Sequence, residues 1–232
     1  MPKGVEGLPA PASGLTVRHV AVGRGTQNYT CESSGGDAKP KSAGAVAKLF
    51  NATCLAVQSP DALEQIPGEA VSLDIIGTER QGPGMLALSG VHYFSDSSTA
   101  VFDLDTSTLD IGKAPCAKNS SSSVDAPPTA AKGQLNEPAV PWLRLLTTDE
   151  ATGGIKEVYR VATAGGSPPA TCEGMPAAFE VQYAAVYWFW QQADISGRTE
   201  GADEDSEAGG EGNNEGPGEG GAKGSEASSA LW

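Results

Sequence analysis

The run Ala178-Phe-Glu-Val-Gln-Tyr-Ala-Ala-Val-Tyr-Trp-Phe-Trp190 constrains this chain more than any other segment. Its aromatic and β-branched residues suit a pleated, half-buried surface, and no charged residue follows Glu180 within it, so a long central strand is the natural reading. Strict alternation sends Tyr187 and Phe189 to one face and Trp188 and Trp190 to the other. One face must be core. The other is a ligand platform, a second buried layer or an interface.

Upstream, shorter apolar runs are separated by Gly, Pro, Ser and Asp clusters. Leu15–Val22 is a first strand, and Gln27–Cys31 a second after a turn or bulge at Gly23-Arg-Gly25. Residues 43–55 fit strand or helix and lean toward strand. Ser59-Pro60 opens a short helix, with serine as cap and proline at the first helical position. Ala70–Ile76, Met85–Tyr93 with Phe94, Ala100–Leu104, Val140–Leu146 and Ile155–Thr163 read as further strands. Residues 114–137 lack periodicity and read as a long surface loop. The predicted fold is all-β: a single β-sandwich or distorted barrel of mostly antiparallel strands, with at most short helices.

The domain spans 15–192, after an extended segment over 1–14. From 193 onward the chain is predicted to be a disordered acidic tail, because Gly, Glu, Asp and Ser offer too little apolar area to offset the entropy of ordering. From Arg198 the tail holds nine acidic residues against Arg198 and Lys223, about half of the formal net charge of −14. No Lys/Arg cluster interrupts this acidity, which argues against nucleic acid and anionic membrane surfaces as partners.

Cys31, Cys54, Cys116 and Cys172 are even in number, widely spaced and without a C-x-x-C pair, so two disulfides fit better than a metal site. Three pairings are open. Sequons at Asn28, Asn51 and Asn119 favour the same oxidising, secreted compartment and mark candidate glycosylation sites. Residues 1–17 contain no apolar h-region, so the expectation is a secreted protein whose leader is missing from this sequence. No stretch approaches the ~20 apolar residues of a helical membrane span.

The segments HVAVGRGTQNYTC (19–31), GAVAKLFNATCL (44–55), GVHYF (90–94), VPWLRL (140–145), GGIKEVYRVATAGGSPPATCEGMPA (153–177) and FEVQYAAVYWFW (179–190) carry a resemblance. Over about 15–191 the chain resembles a family of small secreted proteins of unknown function, widespread in filamentous fungi and with bacterial relatives. The resemblance implies a secreted all-β domain. Bacterial relatives keep only the cysteines matching Cys31 and Cys172, which implies a Cys31–Cys172 bridge with Cys54–Cys116 as its complement. Fungal members often carry the label malate dehydrogenase, which the residues do not support. Gly23-Arg-Gly25 is followed by Asn28 where a third glycine belongs, and then by a β-type stretch, not the helix whose N-terminus would hold a pyrophosphate. No cofactor is implied.

Candidate chemistry is sparse. His92, with Asp96 and Asp103 nearby in sequence, is a candidate general base or metal ligand, and His19 would have to join it for a two-histidine site. A hydrogen-bonded sheet histidine is the simpler reading. Ser89-Gly90 lacks the context of a nucleophile elbow. Glu157, Glu173 and Glu180 are possible paired carboxylates, although Glu157 and Glu180 fit a solvated strand face. Trp188 and Trp190 are candidate stacking residues for a cell-wall polysaccharide or another small ligand. The leading expectation is a non-catalytic extracellular binding domain. Its rivals are a hydrolase or metal-dependent enzyme built on His92, and a plain structural or host-interaction protein.

Overall fold

Nine antiparallel strands form one sheet in the computed structural model, which describes residues 5, 7–73, 85–117 and 121–193. In chain order these are β1 (Leu15–Thr30), β2 (Lys41–Asn51), β3 (Leu88–Phe94), β4 (Thr99–Asp103) and β5 (Lys113–Ala117), then β6 (Ser122–Val124), β7 (Trp142–Leu146), β8 (Ile155–Gly165) and β9 (Ala178–Gln192). Two short helices, α1 (Thr53–Gln58) and α2 (Pro60–Ala70), lie between β2 and β3. The spatial order is β5-β4-β3-β2-β1-β9-β8-β7-β6. The aromatic run is β9, central as expected, paired along its length with β1 and β8.

The sheet curls. Its β5 edge bonds back to the chain leaving β7, through a Cys116–Thr147 bridge and the Thr148 N–H on the Pro115 carbonyl at 2.8 Å. The result is the distorted barrel of the two predicted architectures, partly closed on itself.

Alternation divides two cores. Tyr183, Ala185, Tyr187 and Phe189 of β9 face the inside of the curl with Leu49, Phe102 and Leu145. Ala184, Val186 and Trp188 face outward with Val20, Val22, Tyr159 and Val161, beneath Leu63 and Ala70 of α2. The second face of β9 is thus a buried layer. Each large side chain removed from water there contributes about 2 kcal/mol.

Several local expectations need correction. Gly23-Arg-Gly25 makes neither turn nor bulge; β1 runs straight through it, and its irregularities lie at Val17/His19 and Asn28/Tyr29. Those glycines serve close approach: a Cβ at Gly23 would strike the Tyr187 ring, and one at Gly25 the Val46 carbonyl on β2. Between them Arg24 is fully buried, donating to the carbonyls of Ala70 and Leu73 at 2.8 and 3.0 Å. It therefore ties the C-terminal end of α2 to the sheet, where a cation also complements the helix dipole.

Ala70 ends this helix and does not start a strand, and residues 74–76 lie outside the described residues. The predicted loop over 114–137 contains most of β5 and all of β6. Pro115 hid β5 from the sequence reading, and the structure accommodates it because β5 is an edge strand. The helix predicted at Ser59-Pro60 is present, with Pro60 at its first turn, but the Ser59 side chain makes no cap bond. Beyond Ala193 the predicted acidic tail lies outside the described residues.

Cys31 and Cys172 are joined, with Cα atoms 5.8 Å apart. The expected partner bridge is not formed: Cys54 and Cys116 are free. Cys116 belongs to the inner core, whereas Cys54 is exposed on α1 in the outer layer, so the two thiols lie on different faces of the sheet.

Candidate functional site: a cavity inside the curled sheet

A cavity of about 290 Å³ lies within the curl, and every strand contributes to it. Its walls include Ala45, Phe102, Leu145 and Tyr187, and exposed serines such as Ser42, Ser98 and Ser123 stand at its mouth. Three polar side chains project into this apolar space: Gln27 of β1, His92 of β3 and Arg160 of β8. A small barrel is wide enough to hold one small ligand, and a mostly apolar pocket with a few convergent polar groups is the usual form of such a site.

His92 is buried and stacked on Phe102, with ring centroids 4.2 Å apart and planes inclined by 7°. Its Nδ1–H donates to the Val101 carbonyl at 2.9 Å, which fixes the neutral tautomer with Nε2 as acceptor. Burial lowers its pKa to about 4; the Val101 bond opposes this shift and the Arg160 charge adds to it.

The His92–Asp96–Asp103 constellation is not assembled. Asp96 is in an exposed turn, where it accepts from the Ser98 hydroxyl at 2.8 Å and from the backbone N–H groups of Ser98 and Thr99 at 2.6 and 2.8 Å, and these bonds, the Ser98 hydroxyl foremost, hold its carboxyl at about 2. Asp103 pairs with Lys113 at 2.7 Å and, next to Phe102 on β4, points to the other side of the sheet from the cavity. His19 is buried elsewhere, its Nδ1 against Thr53 Oγ1 at 3.1 Å and its Nε2 against Ser89 Oγ at 3.0 Å. Burial and the Arg18 charge lower its pKa to about 4.

The His19–Ser89 contact has the outline of an activated serine and was not foreseen. Ser89 is fully buried and donates to the Leu49 carbonyl at 3.3 Å, so the pair is a sealed structural link. Among the described residues no group of three His, Cys, Asp or Glu side chains is placed to hold a metal ion.

Trp188 is 7% exposed and packs in the outer core, so it is no open stacking platform. Trp190 is half-buried against Tyr159, edge to face at 6.4 Å. An outer groove of about 480 Å³ between α2 and β8 does include Trp142, but that indole is only 8% exposed and offers little face to a sugar.

Glu157 does not lie on a solvated face. It is 3% exposed and accepts both Arg144 Nε at 2.9 Å and Arg144 Nη2, together with the Ala12 N–H at 3.2 Å. Tyr159 completes this anchor by donating to the Pro9 carbonyl at 2.7 Å. The cluster fastens the N-terminal segment over the outer face. Replacing Glu157 with Ala is expected to cost about 3 kcal/mol by leaving the Arg144 guanidinium without its counter-charge. Urea unfolding of the variant measures this; a midpoint equal to that of the parent would show the pair to be dispensable.

Of the sequons, Asn28 sits half-buried in β1, accepting from Thr26 Oγ1 at 3.1 Å, and Asn51 ends β2, accepting from the Thr53 N–H at 3.0 Å. Asn119 lies outside the described residues. Glu180, on β9, lies opposite Asn28 of β1 in the register, and Glu173 lies just beyond Cys172; neither joins Glu157 as a carboxylate pair.

Fold and cavity together define a curled antiparallel β domain with an internal pocket. The family described as a protein of unknown function, DUF3455, matches residues 11–191, and the chain belongs to that family. No curated protein and no solved structure matches the chain.

Proposed function

We propose that this chain is an extracellular, non-catalytic β domain that binds a small molecule inside the curl of its sheet. The cavity carries this reading: about 290 Å³ of space lined from every strand, its walls largely apolar, entered past polar serines, with Gln27, His92 and Arg160 converging in it. A core that only needed to be stable would fill that volume, because unfilled space costs roughly 24 cal/mol per Å³. Retaining it beside unpartnered polar atoms suits an occupant.

The compartment is supported by the Cys31–Cys172 bridge alone, since the second pair is absent, and no helix among the described residues is long and apolar enough to cross a membrane. A polysaccharide ligand is disfavoured by the burial of Trp188.

The test fills the cavity. Ala45, 3% exposed, lines it from β2. A set of small amphipathic molecules of about ten non-hydrogen atoms, the size this volume admits, should give saturation-transfer NMR signals with the parent chain. Those signals should vanish in Ala45→Leu at unchanged fold. Signals that persist in Ala45→Leu, or a set that gives none, would refute an interior site.

A further inference from the structure

Among the described residues the walls of the cavity carry one formal charge, and no described carboxylate neutralises it. Arg160 projects from β8 between its cross-strand neighbours Leu143 and Tyr187. Its Nη2 donates to the Pro141 carbonyl at 2.9 Å, while its Nε is buried without a hydrogen-bond partner. Among the described residues it makes no ion pair and no Asp or Glu lines the cavity. Gln27, 7% exposed, presents a second unpartnered buried donor, Nε2, to the same space. Buried polar atoms are rarely left unpaired, and a cation held among apolar walls calls for an anion.

The other polar groups fit the same occupant. His92 is kept a neutral ring by its burial on Phe102 and by the Arg160 charge, against the opposing pull of its Nδ1–H bond to Val101, so it adds no second cation. The hydroxyls of Tyr183 and Tyr187 lie 3.0 Å apart and bond to each other, with Gln27 beside the first and Arg160 beside the second. The two buried atoms at the cavity that lack a hydrogen-bond partner, Arg160 Nε and Gln27 Nε2, are both donors, and one guanidinium is matched by one carboxylate. A doubly charged phosphate would outrun these donors.

We propose that the cavity takes a small carboxylic acid with an apolar body, its carboxylate on Arg160 and Gln27 and its hydrocarbon part against Phe102, Leu143 and Leu145. This deepens the interior-site reading and rests on it. The cavity volume corresponds to about ten water molecules, so the ligand is of the order of a medium-chain or single-ring acid.

The test titrates octanoate and hydrocinnamate, each beside its primary amide of equal size, into the intact chain by calorimetry. The acids should bind about tenfold or more tighter than the amides, the margin expected of a charge-assisted pair. In Arg160→Gln that preference should disappear while amide affinity stays within about twofold, and Arg160→Lys should keep part of it. Equal affinity of acid and amide in the parent, with both lost in Ala45→Leu, would overturn the acid assignment and leave the interior site standing. Failure of both classes to bind, or binding that Ala45→Leu does not touch, would overturn both.

Discussion

Removing the Cys31–Cys172 bond should lower the unfolding free energy by about 5 kcal/mol, the chain-entropy value for a loop of this length. The cysteines are 141 residues apart in sequence, so the bridge restricts nearly the whole unfolded domain. In the native fold it asks for little: Thr30 and Ala178 are already cross-strand partners, and the Cys31 N–H already donates to the Ala177 carbonyl at 2.9 Å. The bond locks the end of β1 to the start of β9, the register on which the rest of the sheet is built. A loss of this size takes up a large part of the roughly 5–15 kcal/mol a domain possesses. Cys31→Ser/Cys172→Ser, unfolded in urea beside the oxidised parent, measures it. Cys54→Ser is the control, since Cys54 is exposed and unbonded and should shift stability by less than about 0.5 kcal/mol. A double variant as stable as its parent would show that the long loop is already restrained without the bridge. Thiol titration of the denatured, unreduced chain should find two free groups.

Much of this fold is legible in residue order, and what escapes has identifiable causes. β9 could be read because fifteen residues without a breaker satisfy both faces of a central strand. Its alternation correctly separates Tyr187 and Phe189 from Trp188. The glycines of β1 mislead because sequence shows their freedom and not their neighbours; only the fold reveals that the Tyr187 ring and the β2 backbone need the missing side chains. Glu157 misleads for a related reason. It does point away from the barrel interior, but that outer face is covered by the segment holding Pro9 and Ala12. The cavity escapes most completely. Gln27, His92 and Arg160 are 65 and 68 residues apart along the chain, and only the closure of the sheet brings them together. Proximity in sequence favoured Asp96 and Asp103 as partners of His92, whereas β-structure gave it Phe102 and Arg160 as neighbours.

Both histidines should make the domain acid-sensitive well above the range in which carboxylates titrate. His19 and His92 each have a folded pKa of about 4 against an ordinary value of 6.5. A depressed folded pKa means that the unfolded chain binds protons first as pH falls. Stability is therefore full above about 6.5, declines through the interval between the two values, and below about 4 stays at the lowered level with no further loss from these groups. Each histidine accounts for about 3 kcal/mol over that interval, at up to about 1.4 kcal/mol per pH unit. The charged groups facing them act in the same direction, Arg18 on His19 and Arg160 on His92. His92→Phe can stack on Phe102 in place of the imidazole, and it removes one titration at the cost of the Val101 bond. Urea midpoints from pH 7.5 to 5 should fall steeply in the parent and about half as steeply in His92→Phe. His19→Gln should behave likewise, whereas a flat parent profile would mean that both rings are hydrated or already protonated in the native state. An acid bound at Arg160 should flatten the His92 half of this dependence, because its negative charge offsets the guanidinium that helps keep the imidazole neutral.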